Sequence, residues 1–214
     1  MRLVWTYAEN RCAGFRGGTN LQALIDAVES GYIKGAKITT VVSSRPGVFA
    51  LDRAAKHGIA TAVISRKSFG SPEEYDQAIV EHLMGCGVGL VVMAGFLSIL
   101  GHGFNEVYRN KVINVHPSLI PAFCGKGFYG LIPHQKALEY GVKVTGATVH
   151  FVEEETDAGP IILQKAVEIH QGDTPETLQK RVMEQAEWVI LKEAVRLFAE
   201  NKLRVNGRIV EILP

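Results

Sequence analysis

Asn114-Val115-His116 closes a β-branched run, Val112 to Val115, and is followed at once by Pro117-Ser118-Leu119-Ile120-Pro121. Alternation along a strand points Asn114 and His116 to the same side, an amide donor next to an imidazole. That pair suits stabilisation of a developing oxyanion beside an acid/base group. Taken alone, Asn-x-His is more often a strand-ending polar residue and a satisfied histidine. The two prolines weigh against that outcome because they set the backbone direction directly after the pair. Further on, the run Val144 to Val152 leads into Glu153-Glu154-Glu155-Thr156-Asp157-Ala158-Gly159-Pro160. The glutamates read as a solvated turn. Asp157 can fold back as a fixed carboxylate, and His150 fits either support of a site or plain core. A third candidate is Arg16-Gly17-Gly18-Thr19-Asn20. Glycines at a helix start let N–H groups approach a phosphate, although a tight turn with a cap explains them equally well. The segment is neither a dinucleotide fingerprint nor a Walker loop. A metal set drawn from His116, His134, His150 and Asp157 lacks H-x-x-x-H or H-E-x-x-H spacing, so no metal is expected. His57, His82, His102 and His170 are expected at the surface.

The elements that must carry these residues show in the periodicity. Short β-branched runs fall at Leu3 to Tyr7, Ile38 to Val42, Ala60 to Ile64, Leu90 to Ala94, Val112 to Val115, Val144 to Val152 and Ile161 to Val167. Leu21, Leu24, Ile25 and Val28 follow helical spacing, with Thr19 or Asn20 as cap and Gly31 as stop. Leu51 to His57 and Glu73 to Met84, the latter after Pro72, give two more helices. The order β-α-β-α-β-α-β predicts an α/β fold, a doubly wound, Rossmann-like and mainly parallel sheet with flanking helices. Ligands of such sheets bind beyond the carboxyl ends of the strands, here after Tyr7, Ala94 and Val115. One long final helix is expected from about Thr174 to Asn201, with Leu178, Val182, Val189, Ile190, Ala194 and Leu197 on its apolar side.

The whole chain narrows the classes of function. Its 214 residues suit one domain, and 47% hydrophobic with 21% charged residues is ordinary globular composition. Lys+Arg 23 against Asp+Glu 22 gives a net charge of +1, so no global field recruits nucleic acid or an anionic membrane. The three cysteines, Cys12, Cys86 and Cys124, form no C-x-x-C pair, which fits a reducing cytosol better than a disulfide framework or a zinc knuckle. The apolar run Val88 to Leu100 is short for a membrane span, and the N-terminus lacks a secretory pattern, so a cytoplasmic protein is expected.

Together Gly18-Thr19-Asn20-Leu21-Gln22-Ala23, Ala94-Gly95-Phe96-Leu97, Asn114-Val115-His116-Pro117-Ser118-Leu119-Ile120-Pro121 and Asp157-Ala158-Gly159-Pro160-Ile161-Ile162 resemble the phosphoribosylglycinamide formyltransferases, in that family's order and over nearly the whole chain. The resemblance implies a single formyltransferase-type domain over 1–214, with a nucleotide-binding half at 1–100 and a folate and catalytic half at 101–214. It implies transfer of the formyl group of 10-formyltetrahydrofolate to the amine of glycinamide ribonucleotide in purine synthesis, by a monomer or homodimer needing neither metal nor nucleic acid. Asn114 and His116 would contact the formyl oxygen, and Asp157 would keep the imidazole protonated, as a carboxylate within about 4–6 Å does. Gly17, Gly18, Thr19, Asn20 and Glu187 would hold the nucleotide. Leu97, Ser98, Ile99, Leu100 and Asn114 would meet the folate. His134 matches a family histidine near the site, or simply starts a helix.

This chain departs from the family pattern in several places. Thr6 to Arg16 intervenes between the first strand and the glycines, and Glu187 stands one residue further from Arg181. Phe96-Leu97-Ser98 lacks an arginine often found there, and Pro72 replaces another. A glycine-rich loop, Cys124 to Gly130, follows the catalytic string as lid or insertion. Formyltetrahydrofolate hydrolysis by the same side chains, and a catalytically silent nucleotide- or folate-binding protein, are the competing readings.

Overall fold

The structure is a computed structural model that describes residues 1–7, 18–93 and 101–214; Gly17 and Leu97 to Leu100 lie outside the described residues, as do Ala8 to Arg16. The described residues fall into two compact units that part between Ile113 and Asn114.

In the first unit the chain runs β1 (Arg2–Tyr7), α1 (Thr19–Glu29), β2 (Lys37–Ser43), α2 (Phe49–Lys56), β3 (Ala60–Val63), α3 (Pro72–Gly85), β4 (Leu90–Met93), α4 (His102–Val107) and the start of β5 (Val112–His116). The expected β-α alternation is present through β4. Strand order is β3-β2-β1-β4-β5, with β1 parallel to both β2 and β4, and β2 parallel to β3. The order therefore reverses at β1, the switch point of a doubly wound sheet. Local chemistry accounts for the helices. Ser71 caps α3 by accepting the Glu74 N–H at 3.1 Å, and Pro72 occupies the first turn, where its missing N–H costs nothing. Leu21, Leu24 and Ile25 of α1 are buried, as are Val41 and Val42 of β2 and Leu90 to Val92 of β4.

The second unit holds the end of β5, then α5 (Ile132–Tyr140), β6 (Val144–Phe151), β7 (Ile161–Glu168), α6 (Pro175–Val182), α7 (Trp188–Ala199), β8 (Leu203–Asn206) and β9 (Ile209–Ile212). Here the order is β5-β6-β7-β9-β8, with β6 antiparallel to β7, β7 parallel to β9 and β8 antiparallel to β9. The sheet is thus mixed rather than parallel throughout. A side chain at Gly146 of β6 would run into the Lys165 carbonyl oxygen of β7 and the Leu119 side chain, so only glycine permits this pairing.

The expected single helix from Thr174 to Asn201 is interrupted. Thr174 and Thr177 form a reciprocal capping box at its start, and a π-helical turn, Met183–Glu187, separates α6 from α7. A π turn holds more residues than an α turn, and each residue is worth about 100° of rotation. Val189 is consequently rotated off the expected apolar side to 37% exposure, whereas Leu178, Val182, Ile190, Ala194 and Leu197 are buried as their spacing predicts. No helix of the described residues is long and apolar enough to cross a membrane.

Candidate active site

Four side chains of the second unit converge. Asn114 and His116 come from alternate positions of β5, as the spacing predicts, and His150 from β6. Asp157 comes from the loop after β6. It sits in the left-handed region at φ 56°, which aspartate tolerates better than most residues and which turns the chain sharply. Gly159 seals that turn. A side chain there would strike the Phe151 carbonyl, and the chain returns to pair through Phe151 N–H donating to Pro160 O at 2.9 Å.

The carboxylate of Asp157 lies between two imidazoles, with Oδ2 3.3 Å from His116 Nδ1 and Oδ1 3.6 Å from His150 Nε2. Oδ2 also accepts the Gly125 N–H at 2.9 Å. The opposite nitrogen of His116, Nε2, is 2.9 Å from the Phe123 carbonyl oxygen. His150 Nδ1 is 2.8 Å from the Phe151 carbonyl, and its Nε2 is 3.2 Å from Asn114 Nδ2. The side chains of His116, His150 and Asp157 are 5%, 2% and 8% exposed, so these charges and dipoles act with little screening.

Burial dominates the titration of His116. Desolvation pushes its pKa below the ordinary histidine value, against the upward pull of Asp157 and the Phe123 carbonyl. Asp157 thus favours the protonated ring, while burial works against it. Asp157 itself is raised by burial, but its surroundings, the His116 charge and the Gly125 N–H among them, outweigh that and hold it below the usual carboxylate range.

The proline string after His116 is clamped by polar contacts that its own spacing does not announce. Thr148 Oγ1 on β6 accepts the Ile120 N–H at 3.1 Å and donates to Ser118 O at 2.7 Å. Gln164 Nε2 on β7 donates to Ile120 O and to Thr148 Oγ1, at 2.9 and 3.0 Å. Ser118 Oγ donates to Ala122 O at 2.6 Å. Thr148 and Gln164 went unread because alternation marks them only as strand residues. The one signal available was Thr148 at two residues from His150, on the same strand face. The Cys124 to Gly130 loop supplies the Gly125 N–H to Asp157, and its neighbour Phe123 supplies the carbonyl on His116. A segment with the look of an insertion therefore touches both members of the ion pair.

The remaining candidates divide. Gly18 has φ 58° as the residue preceding α1, and a side chain there would press on Ala50 of α2 at 3.1 Å. Glycine at this place thus answers to helix packing as well as to any ligand. Thr19 and Asn20 open α1 and belong to the first unit. Glu187 is buried at the last position of the π turn that follows Arg181 and Val182. His134 is fully buried in the first turn of α5, and neither ring nitrogen has a hydrogen-bond partner. Its pKa is pushed down to about 4 by burial and by His116. Among the histidines expected at the surface, His57, His102 and His170 are exposed, whereas His82 is half-buried with Nε2 3.2 Å from Thr40 Oγ1.

Comparison with known proteins agrees with this architecture. The formyl transferase family model matches residues 11–195. The phosphoribosylglycinamide formyltransferase of Haemophilus influenzae is 40% identical over 192 residues, which is 90% of this chain and 87% of that protein. The human trifunctional purine biosynthetic protein adenosine-3 is 43% identical over 194 residues, 90% of this chain; the chain spans only 18% of that relative's length. Among solved structures, glycinamide ribonucleotide transformylase 1 from Symbiobacterium toebii superposes with a TM-score of 0.90 at 39% identity, covering 100% of this chain and 94% of that one. By sequence and by fold, the chain belongs to the formyl transferase family and, within it, to the phosphoribosylglycinamide formyltransferases.

Proposed function

We propose that this protein transfers the formyl group of 10-formyltetrahydrofolate to the amine of glycinamide ribonucleotide, in the cytoplasm, as a monomer or homodimer acting on small molecules without nucleic acid or metal. The observation that supports this reading most is the convergence of half-buried Asn114 with the buried side chains of His116 and Asp157 at the end of β5. An N–H of Asn114 donates to the formyl oxygen as that oxygen gathers charge under attack by the amine. His116 lies beside it as general acid, and Asp157 stays ionised opposite and steadies the imidazolium. The groups facing the two His116 ring nitrogens, Phe123 O and Asp157 Oδ2, are both acceptors, so the ring serves both only when doubly protonated. Delivery of the Nε2 proton to the formyl oxygen requires the Phe123 carbonyl to give up its bond.

Gly17 to Asn20 and Glu187 are assigned to the nucleotide, and Leu97 to Leu100 with Asn114 to the folate. Residues 1–214 act as one domain, with a nucleotide half and a folate and catalytic half. The test is ultraviolet detection of the deformylated folate with and without glycinamide ribonucleotide. Product that appears only with the nucleotide supports transfer. Release without it supports hydrolysis, and no release in either case supports a silent binding protein.

A further inference from the structure

An asparagine that stabilises an oxyanion must present N–H, yet its amide nitrogen and oxygen are nearly alike in shape and opposite in chemistry. Some neighbour has to select the orientation. His150 is 2% exposed, and its Nδ1 lies 2.8 Å from the Phe151 carbonyl. A carbonyl has no proton to give, so the proton is on Nδ1. In a neutral ring Nε2 then carries only a lone pair, and Asn114 Nδ2 approaches it at 3.2 Å. The competing neighbour, Asp157 Oδ1, is 3.6 Å from the same nitrogen, longer than an ordinary N–H···O bond.

We infer that His150 is a positioning residue which, as the neutral Nδ1–H tautomer, accepts one N–H of Asn114 and thereby keeps the second N–H of the same nitrogen as the donor for the formyl oxygen. An amide turned the other way would put Oδ1, an acceptor, where that donor belongs. The chain of orientation runs from the Phe151 carbonyl through the imidazole to the amide. It resembles the way a backbone carbonyl sets the tautomer of a working histidine. The role assigned to Asn114 rests on the proposed transfer reaction; the tautomer does not.

Two measurements decide it. Long-range proton–nitrogen correlation spectra of the ring-labelled wild-type protein should show His150 protonated at Nδ1 and bare at Nε2; an imidazolium or an Nε2–H tautomer overturns the proposal. In formyl transfer, His150→Gln keeps an acceptor near the Nε2 position and should hold kcat within about 10-fold of wild type, whereas His150→Phe should lose about 10²-fold, with KM for both substrates little changed. Equal losses in the two variants, or a loss confined to KM, overturn it. If His150→Phe does not fold, the spectra and the glutamine variant still carry the decision. A wild-type protein that transfers no formyl group defeats the functional reading and leaves the spectral result standing by itself.

Discussion

His116 is held between opposing influences of unequal size. Burial costs the charged ring its hydration, and the acceptors on its two nitrogens return only part of it, so the pKa lies below the ordinary value. Replacing Asp157 by Asn removes the nearby anion that favours the imidazolium. A nuclear magnetic resonance titration of His116 in Asp157→Asn should therefore show a midpoint lower than that of the wild type, and an upward shift would refute the assignment. Asn114→Ala removes an oxyanion donor and should cut kcat by about 10²–10³-fold. Steady-state kinetics with both substrates would show this as a loss in kcat rather than in KM.

At the scale of elements, two local devices deliver the site. The first is the Asp157 to Pro160 turn, in which left-handed backbone at Asp157 and the close approach of Gly159 to Phe151 bring the carboxylate back against β6. Gly159→Ala forces a methyl group into a carbonyl. Such overpacking costs about 1–3 kcal/mol, so a lower thermal midpoint is expected, together with a loss of kcat from the displaced carboxylate. The second device is the π turn. Deleting Gln185 should convert Met183–Glu187 to an ordinary α turn and rotate Glu187 by about 100° relative to α6. With helix content by circular dichroism unchanged, the KM for the nucleotide should rise while kcat changes less. An unchanged KM would detach Glu187 from nucleotide binding.

Over the whole molecule, one buried ring, His134, makes stability fall with acid. His134 titrates near 4 in the folded protein against about 6.5 when unfolded. Its neutral form is the one the fold accepts, so its contribution is intact above pH 6.5 and is lost as the pH falls from there towards 4. At roughly 1.4 kcal/mol per unit, the loss amounts to about 3 kcal/mol. Denaturant unfolding of His134→Gln should show a flatter fall in stability across that window than the wild type. Much of the fold was legible because β-branched runs and helix caps are local signals: the strands from Arg2 to Glu168 lie where their spacing predicts, within a residue. The hairpin of β8 and β9 was overlooked, although Asn206-Gly207 between alternating apolar residues is a turn signal. In the site, Asn114 and His116 share one strand and could be paired by alternation. The contacts of His150, Thr148 and the Phe123 carbonyl depend on which strands lie side by side and on how a loop returns, and periodicity does not encode either. The π turn before Glu187 leaves no mark in the helical periodicity and shows only in the three-dimensional path.

The central claim is that the His116–Asp157 pair performs the chemical step rather than holding the fold or the substrates. Single-turnover formyl transfer by His116→Asn, with both substrates saturating, tests it most directly. The account predicts a transfer step slower by about 10²–10⁴-fold, with the dissociation constants of nucleotide and folate essentially unchanged. Transfer at the wild-type rate, or a defect that vanishes at saturation, would contradict it.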